Sequence, residues 1–142
     1  MTLHLIKLCV GAESIADLAA WQKKKLAGRK KRGEAAEMRH LTRQTPKRAE
    51  ELLDGGSLYW VIKGQIAVRQ RLKALRPAVK NGAPHCALIL DPVLVPVMRR
   101  FHRPFQGWRY LDPGDAPRDL RKGERRALPE ELHAELAALG LL

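Results

Sequence analysis

The sequence predicts an α+β domain whose mostly antiparallel sheet curls toward a small barrel, flanked by N-terminal, middle and C-terminal helices. Three observations carry this reading. The elements follow in the order strand, helix, helix, strands, helix. Residues 58–62 form a continuous apolar run between Gly55-Gly56 and Gly64, as in a strand buried on both faces. Residues 65–73 alternate with period two, placing Ile66, Val68 and Leu72 on one face and Ala67, Arg69, Arg71 and Lys73 on the other. At 142 residues, 45% of them hydrophobic and 30% charged, the chain has the make-up of one globular domain.

Taken in order, residues 3–10 (LHLIKLCV) alternate and are rich in β formers, which predicts a first strand ended by Gly11. Ser14 fits an N-cap, with Asp17 three residues on as a weaker capping box. The helix that follows spaces Ile15, Leu18, Ala19 and Leu26 helically and runs to about residue 31. Its basic end (Lys23, Lys24, Lys25, Arg29, Lys30, Lys31, Arg32) suits the negative end of the helix dipole, and Trp21 is expected in the core. Thr45 as N-cap and Pro46 at the first helical position predict a short second helix, closed by Asp54-Gly55-Gly56. Gly64 suggests a bulge or sharp bend rather than a standard hairpin. Asn81-Gly82 is a turn signal leading into a strand over 85–90. Pro96 makes residues 93–98 an edge strand or an extended loop, and residues 108–111 form the last strand. The domain is single, with its core within residues 2–111. A charged, Pro-rich connection over 112–128 and a closing helix over 129–139 complete it.

Lys and Arg total 27 against 15 Asp and Glu, a net charge of +12. Ten of the basic residues lie between Gly55 and Leu111, where only Asp91 opposes them. This asymmetry points to a polyanionic partner, nucleic acid before an anionic membrane surface, with a solvated surface as the plain alternative. No apolar run approaches the roughly eighteen residues of a membrane-spanning helix. The first residues lack a small-x-small cleavage pattern, so a cytosolic protein is expected. Cys9 and Cys86 are too few for a disulfide framework or a four-ligand metal site. His4, His40, His85, His102 and His133 are scattered without metal-ligand spacing, and neither a metal nor a cofactor is expected. Oligomeric state is not legible in the sequence.

The binding candidates follow from the charges and rings. Arg69, Arg71 and Lys73 on one strand face would stand about 7 Å apart, close to the phosphate repeat of a nucleic-acid strand. Arg103, Phe105, Gln106, Trp108 and Arg109 put cations, stacking rings and an amide within seven residues, the mix that holds an unpaired base. Trp60 is the aromatic assigned to the same cleft, with Lys63 as a further backbone contact. Arg43, Lys47 and Arg48 flank the second helix N-terminus, where backbone N–H groups favour an anion. The expected partner is therefore RNA or another single strand in preference to duplex DNA.

The words HLIKLCVG, RQTPKRAEELLDGGSLYWVIKG, RQR and RPFQGWRYL together identify the chain as resembling a bacterial domain-of-unknown-function family, the one numbered 1489. They cover residues from about 2 to about 120, and the resemblance brings no activity with it. A looser likeness covers about residues 44–75. A short helix, LLDGGSLYWVIKG and an alternating strand with an Arg-Gln pair are similar to PUA and ASCH domains, which implies a PUA-like barrel that binds RNA or modified nucleotides. The ASCH likeness also implies a minority reading, an amidohydrolase acting on a modified nucleoside with Thr45, Lys63 and Glu50 or Glu51 as its catalytic group. A protein-interaction module with an acidic partner is the third class.

Overall fold

The computed structural model describes residues 2–121 and Glu124. Among these, the elements follow in the order β1 (His4–Leu8), α1 (Ile15–Lys31), β2 (Met38–Thr42), α2 (Ala49–Leu52), β3 (Ser57–Ile62), β4 (Gln65–Lys80), β5 (Ala83–Leu90), β6 (Val95–Phe101) and β7 (Trp108–Leu111). A 3-10 turn, Pro113–Asp115, follows. The closing helix expected over 129–139 lies outside the described residues, as does part of the charged connection. No helix among the described residues is long and apolar enough to cross a membrane.

The α+β class and the mostly antiparallel sheet stand; among the described residues β1 and β3 form the single parallel pair. The sheet runs β2-β5-β4-β3-β1-β7, with β6 on β4, and it does not close into a barrel. The reason lies in β4, which spans 16 residues, far beyond the alternating stretch legible in the sequence. Its first half pairs with β3 on one edge and β6 on the other, while its second half pairs with β5 and, through β5, reaches β2. The sheet thus branches around one long strand instead of curling onto itself. Pro77 is accepted because, among the described residues, this half of β4 has a partner strand on one side only.

Two tight turns set the register. Lys63 and Gly64 take φ of 51° and 74° between Ile62 and its partner Gln65, so the connection is a two-residue hairpin rather than the expected bend. A bulge does occur, but further on: Trp60 pairs with Val68 and Val61 with Ile66, leaving Ala67 as the extra residue. Asn81 and Gly82, at 51° and 76°, turn β4 into β5 as their residue types predict.

All six residues of β3 are buried, because both sheet faces are covered. Leu58, Trp60 and Ile62 pack with Ile15 and Leu18 of α1, with β4 and with β5; Tyr59 and Val61 pack with Ile6, Val97 and Phe105 on the other side. Each such apolar side chain contributes roughly 1.5–3 kcal/mol. Segment 116–121 straps the second face, with Met98 and Leu120 N–H groups donating to Arg118 and Pro96 carbonyls.

A buried amide pair ties α1 to β4. The Gln22 and Gln70 carboxamides bond reciprocally at 2.7 and 2.9 Å. Gln70 Oε1 also accepts from the Trp60 indole at 2.8 Å, and its Nε2 donates to the Asp91 carbonyl at 3.0 Å.

Candidate nucleic-acid interface

Helix α1 starts where the sequence puts it, with the Ser14 hydroxyl accepting from Asp17 N–H at 3.0 Å. From that start, two stripes develop. Ile15, Leu18, Ala19, Gln22 and Leu26 face the interior. Trp21, Lys24, Lys25, Gly28, Arg29 and Arg32 recur at intervals of three and four and form the second stripe. This second stripe is one wall of a cleft of about 910 Å³; β2 and the end of β4 supply the rest, with Arg39, His40 and Lys80 among the lining residues. A cleft of this size lies in the range that ligand sites occupy.

The charges in the cleft are one-sided. Among the described residues Glu37 is its single acidic lining residue, and Arg76 engages it at 2.5 Å. Arg29 and Arg32 pair with Glu34 at 3.1 and 3.2 Å. Lys24, Lys25, Arg39 and Lys80 have no ion-pair partner among the described residues. Trp21 is 43% exposed, contrary to the expectation that it is core, and the Lys25 ammonium lies 4.2 Å from its ring centroid. It is exposed because the interior stripe of α1 leaves position 21 on the neighbouring face. Burial, and then the facing charge of Lys80, hold the Lys25 pKa below its usual value.

His40 stands edge-on to Trp60, ring centroids 5.0 Å apart. Its Nε2 and the Nε of Arg39 are buried without a hydrogen-bond partner. Burial first, then Lys7, Lys25 and Lys80, push its pKa from 6.5 down to about 3, so the ring is neutral. The unfolded chain therefore binds a proton near pH 6.5 that the folded chain refuses until about pH 3. Stability should be complete above pH 6.5 and fall as the pH drops through that window, at a slope approaching about 1.4 kcal/mol per pH unit. His4, lowered by burial and then by Arg69, acts in the same direction. Urea melts of wild type and His40→Leu should diverge between pH 6.5 and 4, the variant losing less; parallel curves would contradict this assignment.

The residues singled out in the sequence are dispersed. Trp60 is 2% exposed inside the main core, so it cannot offer a face to a base. Its position opposite Val68, on the sheet face that α1 covers, is the reason. Arg69 is held by Asp119 through two bonds of 2.7 Å and by the Ser57 hydroxyl at 3.0 Å, which leaves Arg71 and Lys73 exposed on β4 without it. Lys73 stands at a register shift, so the even cation row does not form. Trp108 is half-buried, its indole donating to the Gln44 carbonyl at 2.8 Å, and Arg109 folds back onto the Gln106 carbonyl and the Phe105 ring. Gln106 and Arg103 are exposed in the loop before β7.

The second helix is shorter than read. It spans only Ala49–Leu52, its N-cap is Arg48 and not Thr45, and the Lys47 and Arg48 N–H groups donate to the Tyr110 hydroxyl. Those donors are satisfied within the chain, and Arg48 is itself paired with Glu51; Arg43 and Lys47 are exposed. Lys63 lies in the turn at one end of β3 and Glu50 in α2 beyond its other end, separated by a strand length of about 17–20 Å. Thr45, Lys63 and Glu50 are thus not brought together. No group of three His, Cys, Asp or Glu among the described residues could hold a metal.

A family model described as a protein of unknown function, DUF1489, matches residues 5–142. The chain belongs to that family. No curated protein and no solved structure matches it. For this DUF1489 protein the sequence had one further signal to offer, the spacing of Trp21, Lys24, Lys25, Gly28, Arg29 and Arg32. The helix dipole alone accounts for a basic helix end, which masks that signal. The facing wall, from β2 and the β4–β5 turn, comes from positions that only the fold brings near.

Proposed function

We propose that the cleft between α1, β2 and the end of β4 binds RNA or another single strand, with phosphates on Lys24, Lys25, Arg39 and Lys80 and a base stacked on Trp21. The observation that carries this reading is the exposed indole set on one helical stripe with Lys24 and Lys25, which have no ion-pair partner among the described residues. Base stacking needs an open π-face, and only an unpaired base can reach one, so a duplex would forfeit this contact. Arg71, Lys73, Lys63 and Arg103 lie outside the cleft and add to the field that steers a polyanion toward the protein.

Fluorescence anisotropy with short single- and double-stranded RNA and DNA tests the reading. Single strands should bind more tightly than duplexes of the same length. Trp21→Ala, at an exposed position, should weaken single-strand binding by about 1–3 kcal/mol and leave the melting curve in place. Unchanged affinity in Trp21→Ala would overturn the assignment.

A further inference from the structure

We propose that the inner part of this cleft is a subsite for a terminal phosphomonoester, so that the protein holds the phosphorylated end of a strand rather than its middle. The inference rests on the single-strand reading and adds which part of the strand is recognised. Its basis is a pair of nitrogens buried without partners, Nε2 of His40 and Nε of Arg39, on two residues that line the cleft. Nitrogens buried without a partner are uncommon in folded proteins and mark a missing partner. Arg39 Nε is necessarily a donor, and with the single hydrogen of the neutral imidazole on Nε2 of His40 an oxyanion is the partner that fits both.

Adjacent strand residues point to opposite sheet faces. Because β2 is an edge strand, a group seated at its free edge can approach both Arg39 and His40. Lys25 and Lys80 line the same space, and their charges also act on His40. An internal phosphodiester carries one negative charge and must let the chain continue on both sides, so it can meet the lysine ammonium groups but not the buried nitrogens. A terminal phosphomonoester carries close to two charges and three free oxygens, and the chain leaves it in one direction only. It is the group that can sink to the buried nitrogens and relieve the repulsion between the two lysines.

The test uses one single-stranded RNA sequence with a 5′-phosphate, a 3′-phosphate or no terminal phosphate, together with the free mononucleotide as competitor. One phosphorylated end should bind about 10- to 100-fold more tightly than the unphosphorylated strand, the gain expected of charged hydrogen bonds. His40→Leu should abolish that ratio, bind the unphosphorylated strand as wild type does, and raise the Tm by about 2–6 °C because an unpaired polar atom is removed. A purely structural His40 would lower the Tm and leave the ratio intact. If His40→Leu fails to fold, Lys80→Gln at the exposed end of β4 replaces it and should reduce the ratio. Equal affinity for all three ends would overturn the subsite while leaving single-strand binding in place. Competition by the mononucleotide as strong as by the phosphorylated strand would mean a nucleotide site, and would overturn recognition of a strand end. Absence of binding by every oligomer would remove both proposals.

Discussion

Gly56→Ala is expected to cost more than about 4 kcal/mol, the exceptional end of single substitutions, and to leave little folded protein. A Cβ built at Gly56 would lie 2.2 Å from the Leu3 carbonyl oxygen and 2.3 Å from that of Leu52, distances at which something must move. Both obstacles are backbone. The Leu52 carbonyl is fixed by accepting from Gly56 N–H at 3.0 Å, and the Gly56 carbonyl accepts from Leu72 N–H at 2.9 Å. Gly56 therefore sits where the start of β1, the end of α2 and β4 converge, and no flexible side chain is available to yield. Soluble yield and a urea melt of the variant measure the effect. A melt within about 1 kcal/mol of wild type, the ordinary outcome of a point substitution, would show that this junction is not as tight as described.

Gln70→Ala should destabilise by about 3–5 kcal/mol through a different mechanism, a broken polar network in the core. Gln70 is 0% exposed, and its carboxamide serves Gln22, Trp60 and the Asp91 carbonyl at once. Truncation leaves an indole N–H, a primary amide and a carbonyl without partners in the interior, each costing about 1–3 kcal/mol, and opens a cavity as well. Gln70→Leu fills the volume but restores no partner, so it should recover only the cavity part. A Gln70→Leu variant as stable as wild type in urea would mean that the network contributes nothing net.

Local signals are legible in this chain and long-range ones are not. Ser14, the apolar spacing behind it and the basic last turn are enough to delimit α1, and Asn81-Gly82 is enough to place the β4–β5 turn. Lys63-Gly64 misled because lysine seldom takes positive φ, yet the strands on either side hold it there. β2 is not legible in the sequence: MRHLT carries two cationic or titratable residues and stands at a sheet edge, where little apolar patterning is required. The branching of the sheet depends on which half of β4 each partner takes, and alternation within β4 contains no such information.

The same division runs through the site. The alternation that set Arg69, Arg71 and Lys73 on a common face is a local property, whereas the pairing of Arg69 with Asp119 spans 50 residues and removes it from that face's free charge. Residue type alone suggests a cleft for Trp60; its neighbours Leu58 and Ile62, sharing its face, place it in the core. Trp21 was the converse case. Its stripe of cations is written in consecutive turns of one helix, but what makes it a cleft is Arg39, His40 and Lys80 on the other side.

Whether a strand lies in the cleft is decided by the salt dependence of single-stranded RNA binding for two charge-removing variants. Lys25→Ala with Lys80→Ala takes two cations from the cleft, and Arg71→Ala with Lys73→Ala takes two from the exposed face of β4. The net charge falls equally in both. If the strand lies in the cleft, the first variant should lower the slope of log affinity against log salt by about 1.4, roughly 0.7 for each lost phosphate contact, and the second should keep the wild-type slope. A wild-type slope in the cleft variant, with the loss appearing in the β4 variant instead, would contradict the assignment of the cleft and return the binding surface to the basic strand.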